Sequence, residues 1–257
     1  MPANTFKRAI HSGKSQLGLW CTLSNAFSTE VIAGAGYDWI LLDTEHSPGD
    51  PLTVLPQLQV LAAYPAAPIV RPAANDAVLI KRFLDAGAQS LLIPYVQDAT
   101  EAKAAVEATR YPPHGIRGVS ALTRATRFGR EKGYFDTAAQ DLCVIVQIET
   151  GRALENLEAI AAVEGIDALF IGPADLAASL GFGAEQTHPD MRKIVIETLQ
   201  RIQAAGKPSG LLTGDPVLQK MALAAGVSFL ALGVDAGLLA RSSETLLANA
   251  RRLGEGA

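Results

Sequence analysis

Two apolar stretches of this chain end in carboxylates. Val144-Ile145-Val146-Gln147-Ile148-Glu149-Thr150-Gly151 and Leu169-Phe170-Ile171-Gly172-Pro173-Ala174-Asp175 begin rich in β-branched and aromatic residues, then turn to acids and small residues. Such a run reads as a buried strand that delivers polar groups at its C-terminal end. Side chains alternate along a strand, so Ile145, Gln147 and Glu149 share one face and Val144, Val146 and Ile148 the other. A right-handed parallel connection sets the next strand alongside, and Asp175 then emerges beside Glu149. Two hard oxygen donors with room for water suit Mg²⁺ or a similar divalent ion. The plainer alternative makes Glu149 a helix-dipole acid and Asp175 an N-cap. Gln147 weighs against it, because a buried-facing amide is costly without a partner.

Other reactive side chains stand at the ends of further apolar runs: Trp20, then Asp43, Glu45 and His46, then Arg71, and finally Asp235. His46 is the only histidine so placed; His11, His114 and His188 fall in an N-terminal segment or in loops. Alone it reads as a surface histidine, but beside an arginine and a metal site it suits a general base, since its pKa lies near working pH. Arg71 either pairs with Asp43 or offers its planar fork to a carboxylate or a developing enolate oxygen. The Gly172-Pro173-Ala174-Asp175 turn opens a helix whose first N–H groups, at Ala174 and Asp175, suit a substrate carboxylate. A Schiff-base mechanism needs an amine projecting into the site. Lys81, Lys103, Lys193 and Lys220 fall on helix patterns, Lys132 in a loop, and Lys207 before its strand. A metal is therefore expected as the electron sink.

The elements that position these groups alternate along the whole chain. Strands are expected over residues 18–23, 39–43, 68–71, 90–94, 144–149, 169–171, 209–212 and 229–232. Helices are expected over 28–36, 51–64, 76–87, 99–110, 152–163, 189–205 and 216–225, with a last one running to about 252. Eight such units in roughly 250 residues predict a single (β/α)₈ barrel over residues 1–257, with its site at the C-terminal strand ends. An open doubly wound sheet is the rival, but no glycine-rich turn follows the first strand. Residues 111–140 read as one long loop carrying Arg117, Arg124, Arg127 and Arg130, which cover the mouth, bind an anion or meet a neighbouring subunit.

The 257 residues are 49% hydrophobic and 19% charged, with net charge −4, a globular composition without a basic face for nucleic acid. No apolar run reaches bilayer length, and residues 1–14 lack the apolar core of a leader. The two cysteines, Cys21 and Cys143, sit in apolar runs and read as core residues of a cytoplasmic protein. The last helix carries Leu238, Leu239, Leu246 and Leu247, which pack on its own barrel or at a subunit interface.

Taken together, Asp43-Thr44-Glu45-His46-Ser47-Pro48, Val70-Arg71-Pro72, Tyr111-Pro112-Pro113 with Gly115-Ile116-Arg117-Gly118-Val119, Gln147-Ile148-Glu149-Thr150 and Ile171-Gly172-Pro173-Ala174-Asp175-Leu176 resemble the metal-dependent 2-oxo-acid aldolases of the HpcH/HpaI group. The likeness runs from about residue 5 to residue 250. It implies a (β/α)₈ barrel assembled as a hexamer, a lyase of aromatic or sugar acid catabolism, and Mg²⁺, Mn²⁺ or Co²⁺ held by Glu149 and Asp175. Pyruvate would bind near Gln147, Gly172, Pro173 and Ala174, with an aldehyde as its partner. By the same resemblance His46 is the base, Arg71 stabilises the enolate and Asp85 raises the basicity of His46. Asp85 closes a helix and so belongs at the opposite end of its own barrel, from which it would act across a subunit contact. Thr44 stands where the family commonly has Gly, Ser47 where it has Ala and Phe128 where it has Trp, and Val119 runs straight into Ser120 without a second Gly. These departures bear on the aldehyde pocket and leave the metal and base positions intact. Two alternatives stay open: another lyase reaction on the same core, such as oxaloacetate decarboxylation, and a non-catalytic 2-oxo-acid-binding barrel.

Overall fold

The computed structural model describes residues 3–183 and 185–255. Within them eight strands run β1 (Gln16–Cys21), β2 (Trp39–Asp43), β3 (Ala67–Arg71), β4 (Ser90–Ile93), β5 (Cys143–Ile148), β6 (Ala168–Ile171), β7 (Ser209–Leu212) and β8 (Phe229–Val234). Each pairs in parallel with the next, and β8 pairs with β1, so the sheet closes into the expected barrel. Register decides what meets at the rim: Asp43 lies opposite Arg71 across β2 and β3, and Gln147 opposite Phe170 across β5 and β6.

The alternation read in the sequence appears as two apolar layers. Ile40, Leu42, Val70, Val144, Val146, Ile148, Leu169 and Ile171 point out beneath the helices. Trp39, Leu41, Ile69, Ile145, Phe170 and Phe229 point in and fill the barrel. Room for these rings is made at two glycines, because a Cβ on Gly18 would run into Trp39 and one on Gly210 into Phe229 and Phe170. An N-terminal helix absent from the sequence expectations, Thr5–Ala9, seals the far end. Phe6 packs edge-on against Phe229 with ring centroids 5.3 Å apart, and Ile10 joins the same cluster. Asn4 Nδ2 donates to Ser90 Oγ at 3.0 Å, and Lys7 pairs with Asp167 at 3.0 Å.

Most βα connections end in a side-chain cap that starts the following helix at the open rim: Asn25, Asp50, Asp76, Asp98, Thr150 and Asp215 each accept from N–H groups of the first turn. The stretch 111–140 is less irregular than expected, since helix Tyr134–Asp141 occupies its end. The expected helix over 152–163 is broken into Gly151–Glu155 and Leu157–Ala161. Asp235 stands at the C-terminal end of β8 as expected but does not line the cavity: it opens the last helix, Asp235–Glu255, and accepts from Thr22 N at 2.8 Å, Thr22 Oγ1 at 2.9 Å and Leu23 N at 3.2 Å. That helix leaves Leu238, Leu239, Leu246 and Leu247 exposed. Exposed Phe27 and Val31 on one neighbouring helix and Val217 and Met221 on another lie bare as well. No helix among the described residues is long and apolar enough to cross a membrane.

Candidate active site

At the C-terminal rim the strands deliver a connected set of charges. Asp43 ends β2 and Arg71 ends β3, and their register makes a two-pronged ion pair: Arg71 Nε donates to Asp43 Oδ1 at 2.8 Å and Nη2 to Oδ2 at 2.7 Å. Trp20 from β1 adds a donor to Asp43 Oδ2 at 3.3 Å, and its ring lies 4.9 Å from the guanidinium carbon. Burial alone would raise the Asp43 carboxyl, but the Arg71 fork holds it below the usual range.

Gln147 connects this pair to Glu149. Arg71 Nη1 donates to Gln147 Oε1 at 3.2 Å, and Gln147 Nε2 donates to Glu149 Oε2 at 2.6 Å. Only this orientation of the amide satisfies both neighbours, and it explains why a glutamine sits buried on an inward face. The other oxygen of Glu149 accepts from Tyr95 N at 2.6 Å. Tyr95 holds a left-handed backbone, φ 58°, a strained geometry for a non-glycine residue. Gly172 lies so close that a Cβ there would strike Glu149 Oε2 and press on Gln147 Nε2.

Glu45 completes the crowd. Its Oε2 lies 2.7 Å from Arg71 Nη1, yet off the N–H axis, so this buried oxygen has no hydrogen bond. His46 Nε2 stands 4.0 Å from the same oxygen, with 64% of its side chain exposed. Burial raises Glu45, with the Asp43 and Asp175 charges adding to it against Arg71 and His46. Burial likewise pushes Glu149 up to about 7, aided by Glu45 and Asp175 and opposed by the Tyr95 N–H and Arg71. The charges of Glu45 and Asp175 both press on Glu149, a repulsion that a cation would relieve, and the hard oxygen donors of Glu149 and Asp175 suit a divalent ion. Among the described residues no group of three His, Cys, Asp or Glu gathers at metal-holding spacing. A two-carboxylate site is the kind that leaves the remaining coordination to water and substrate.

A cavity of about 590 Å³ opens on this set. Its polar lining includes His46, Arg71, Gln147 and Asp175, and its turn is Gly172-Pro173-Ala174; Trp20, Phe170, Leu212, Val234 and Leu238 supply an apolar wall. The structure thus gathers the sequence-predicted His46, Arg71, Gln147, Gly172, Pro173, Ala174 and Asp175 around one cavity, with Glu149 bonded to Gln147. Asp85 is not among them. It ends helix Ala77–Asp85 at the closed end and accepts from Arg117 Nη2 at 3.0 Å. The Asp43–Arg71 pair is one of the two roles the sequence offers Arg71, whereas Glu45 is read only as a strand end, and Tyr95, which follows Pro94 at the end of the fourth strand, is missed.

The sequence profile of the HpcH/HpaI aldolase/citrate lyase family matches residues 16–242. The chain belongs to this family. A pyruvate aldolase of Rhizobium etli is 58% identical over 248 residues, covering 96% of this chain and 98% of the relative. A 4-hydroxy-2-oxo-heptane-1,7-dioate aldolase of Salmonella dublin is 52% identical over 246 residues, covering 95% and 94%. The crystal structure of an HpcH/HpaI aldolase/citrate lyase family protein from Burkholderia cenocepacia superposes with TM-score 0.92 at 38% identity, covering 96% of this chain and 99% of that one. This aldolase is therefore a carbon–carbon lyase, and the fold, family and reaction class expected from its sequence are borne out.

Proposed function

We propose that this aldolase joins pyruvate to an aldehyde, or cleaves a 4-hydroxy-2-oxo acid in reverse, through the enolate of pyruvate. The observation that carries this reading is the unbroken Arg71-to-Gln147-to-Glu149 hydrogen-bond chain at a cavity of about 590 Å³, a volume that holds a keto acid and a small aldehyde together. The relatives' names point the same way, one containing pyruvate and the other a 4-hydroxy-2-oxo diacid.

Glu149 and Asp175 would hold the divalent ion, whether Mg²⁺, Mn²⁺ or Co²⁺. Bound there, it supplies a Lewis acid that draws electron density from the keto oxygen. The chain's own side chains do the rest. Ala174 and Asp175 present N–H groups at the start of helix Pro173–Ser179, which no side chain caps, and these receive the pyruvate carboxylate. Gly172 and Pro173 shape that turn. His46, exposed at the mouth, takes the methyl proton. Arg71 keeps two of its nitrogens on Asp43 and turns Nη1 to Gln147, placing fixed positive charge where the enolate oxygen develops. Asp85 supports His46 only from a neighbouring subunit, which accords with a cytoplasmic hexamer whose exposed last helix lies at the interface.

Exchange of the pyruvate methyl protons for deuterium, followed by NMR, tests the reading without knowledge of the aldehyde. Exchange should require a divalent ion, stop with a chelator, and be joined by adduct formation when aldehydes are added. Absence of both exchange and adduct with the ion present would leave a barrel that only binds 2-oxo acids.

A further inference from the structure

Arg117 is a charged residue placed where packing alone would favour an apolar one. It is 1% exposed, with its guanidinium carbon 4.5 Å from the Tyr111 ring centroid and 5.8 Å from that of Tyr134. Its backbone N donates to Arg110 O at 2.9 Å, Nη1 donates to Tyr134 Oη at 3.3 Å and Nη2 to Asp85 Oδ1 at 3.0 Å. Nε is buried with no acceptor. Enclosing a guanidinium is costly, and an unmet donor adds to the cost. A Met or Leu would fill the same aromatic box without either penalty.

The partner is equally unfavourable by itself. Asp85 is the last residue of helix Ala77–Asp85, where the helix dipole opposes a negative charge. Its side chain is 25% exposed, and only Oδ1 is engaged; Oδ2 takes no hydrogen bond from the described residues. The other charged groups nearby do not occupy it. Arg124 donates to the carbonyls of Ala86 and Leu58, and the Lys81 stem lies along Gly118. Two individually unfavourable charges therefore combine to present one carboxylate oxygen, in a fixed direction, on the outer surface of the barrel.

We infer that Arg117 is a positioning residue: boxed by Tyr111 and Tyr134, it fixes the Asp85 carboxylate so that its free oxygen meets a cationic group of a second copy of this chain. The inference rests on the reading in which Asp85 supports a neighbour's His46. It adds that this support depends on a guanidinium buried within the subunit that donates Asp85.

The test uses the full-length, metal-loaded protein and the methyl-exchange reaction. Arg117→Met and Asp85→Asn should each lower kcat by a similar factor, on the order of 10²-fold for a displaced catalytic geometry, and leave KM for pyruvate unchanged. The double variant should be no slower than either single one. Arg117→Lys should fall between native and Arg117→Met. A role confined to stability predicts the reverse pattern, a lowered Tm with native kcat in Arg117→Met while Asp85→Asn is slow, and that result overturns the inference. Native exchange in Asp85→Asn would instead remove the underlying reading, leaving the His46 assignment to be judged on its own variant. Should Arg117→Met fail to fold, a folded Arg117→Lys or Tyr134→Phe with native kcat overturns the inference as well.

Discussion

The same eight strands end in opposite chemistry. At the closed end, Phe6 and Ile10 enter a ring-packed cluster with Trp39 and Phe229, and the polar groups there find partners, as Asn4 does on Ser90 and Lys7 on Asp167. At the open end, Asp43, Glu45 and Glu149 press around a single buried guanidinium, and one oxygen of Glu45 goes without a hydrogen bond. Apolar burial and satisfied donors stabilise a fold, whereas crowded like charges cost stability and tune proton affinity. Stability and reactivity are thus divided along the barrel axis, so changes at the two ends should separate them.

The largest separation is expected at His46. Removing a general base costs on the order of 10²–10⁴-fold in rate, so His46→Ala should suppress methyl exchange while metal and pyruvate titrations stay native, given its exposed position. Exchange at the native rate in this variant would break the division. At the opposite end, Phe6→Ala should cost about 3–5 kcal/mol of stability, as for other buried aromatic truncations, with kcat per folded molecule unchanged. A loss of kcat without a fall in Tm would show that the plug reaches the mouth.

A smaller effect concerns proton binding. The folded pKa of Glu149 is raised from 4.5 to about 7, so the metal-free fold favours the protonated acid. The corresponding stability is fully present below pH 4.5 and is lost as pH rises through about 7. In a chelator, Glu149→Gln should therefore melt above the native protein at pH 8 and close to it near pH 4.5, while binding divalent ions more weakly at every pH. Native metal affinity should also strengthen as pH rises toward about 7 and level off above it, because the ion competes with a proton on Glu149. Parallel melting curves for the two proteins across this range would show that the Glu149 carboxyl is not under strain.

Much of this division is legible in the sequence, because it follows from period-two alternation and from where each apolar run stops. Gln147 and Glu149 two residues apart on one strand predict their shared face, and the ends of the second and third strands predict the Asp43–Arg71 pair. What local pattern does not encode is long-range closure. The helix Thr5–Ala9 is too short to show a period, and it is fixed by rings more than thirty and two hundred residues away, Trp39 and Phe229. The apolar run before Asp235 predicts its place at the rim but not its employment there, on the N–H groups of Thr22 and Leu23, which is set by closure of β8 on β1. Tyr95 contributes through a backbone N–H, which its side-chain identity cannot announce.

The stopper at the closed end also imposes an order on synthesis. Residues 5–10 leave the ribosome well before Phe229, a ring of the aromatic wall they rest on. A nascent chain short of β8 therefore carries its cork with no bottle neck to receive it, and that end of the cylinder stays open to water until β8 has been made.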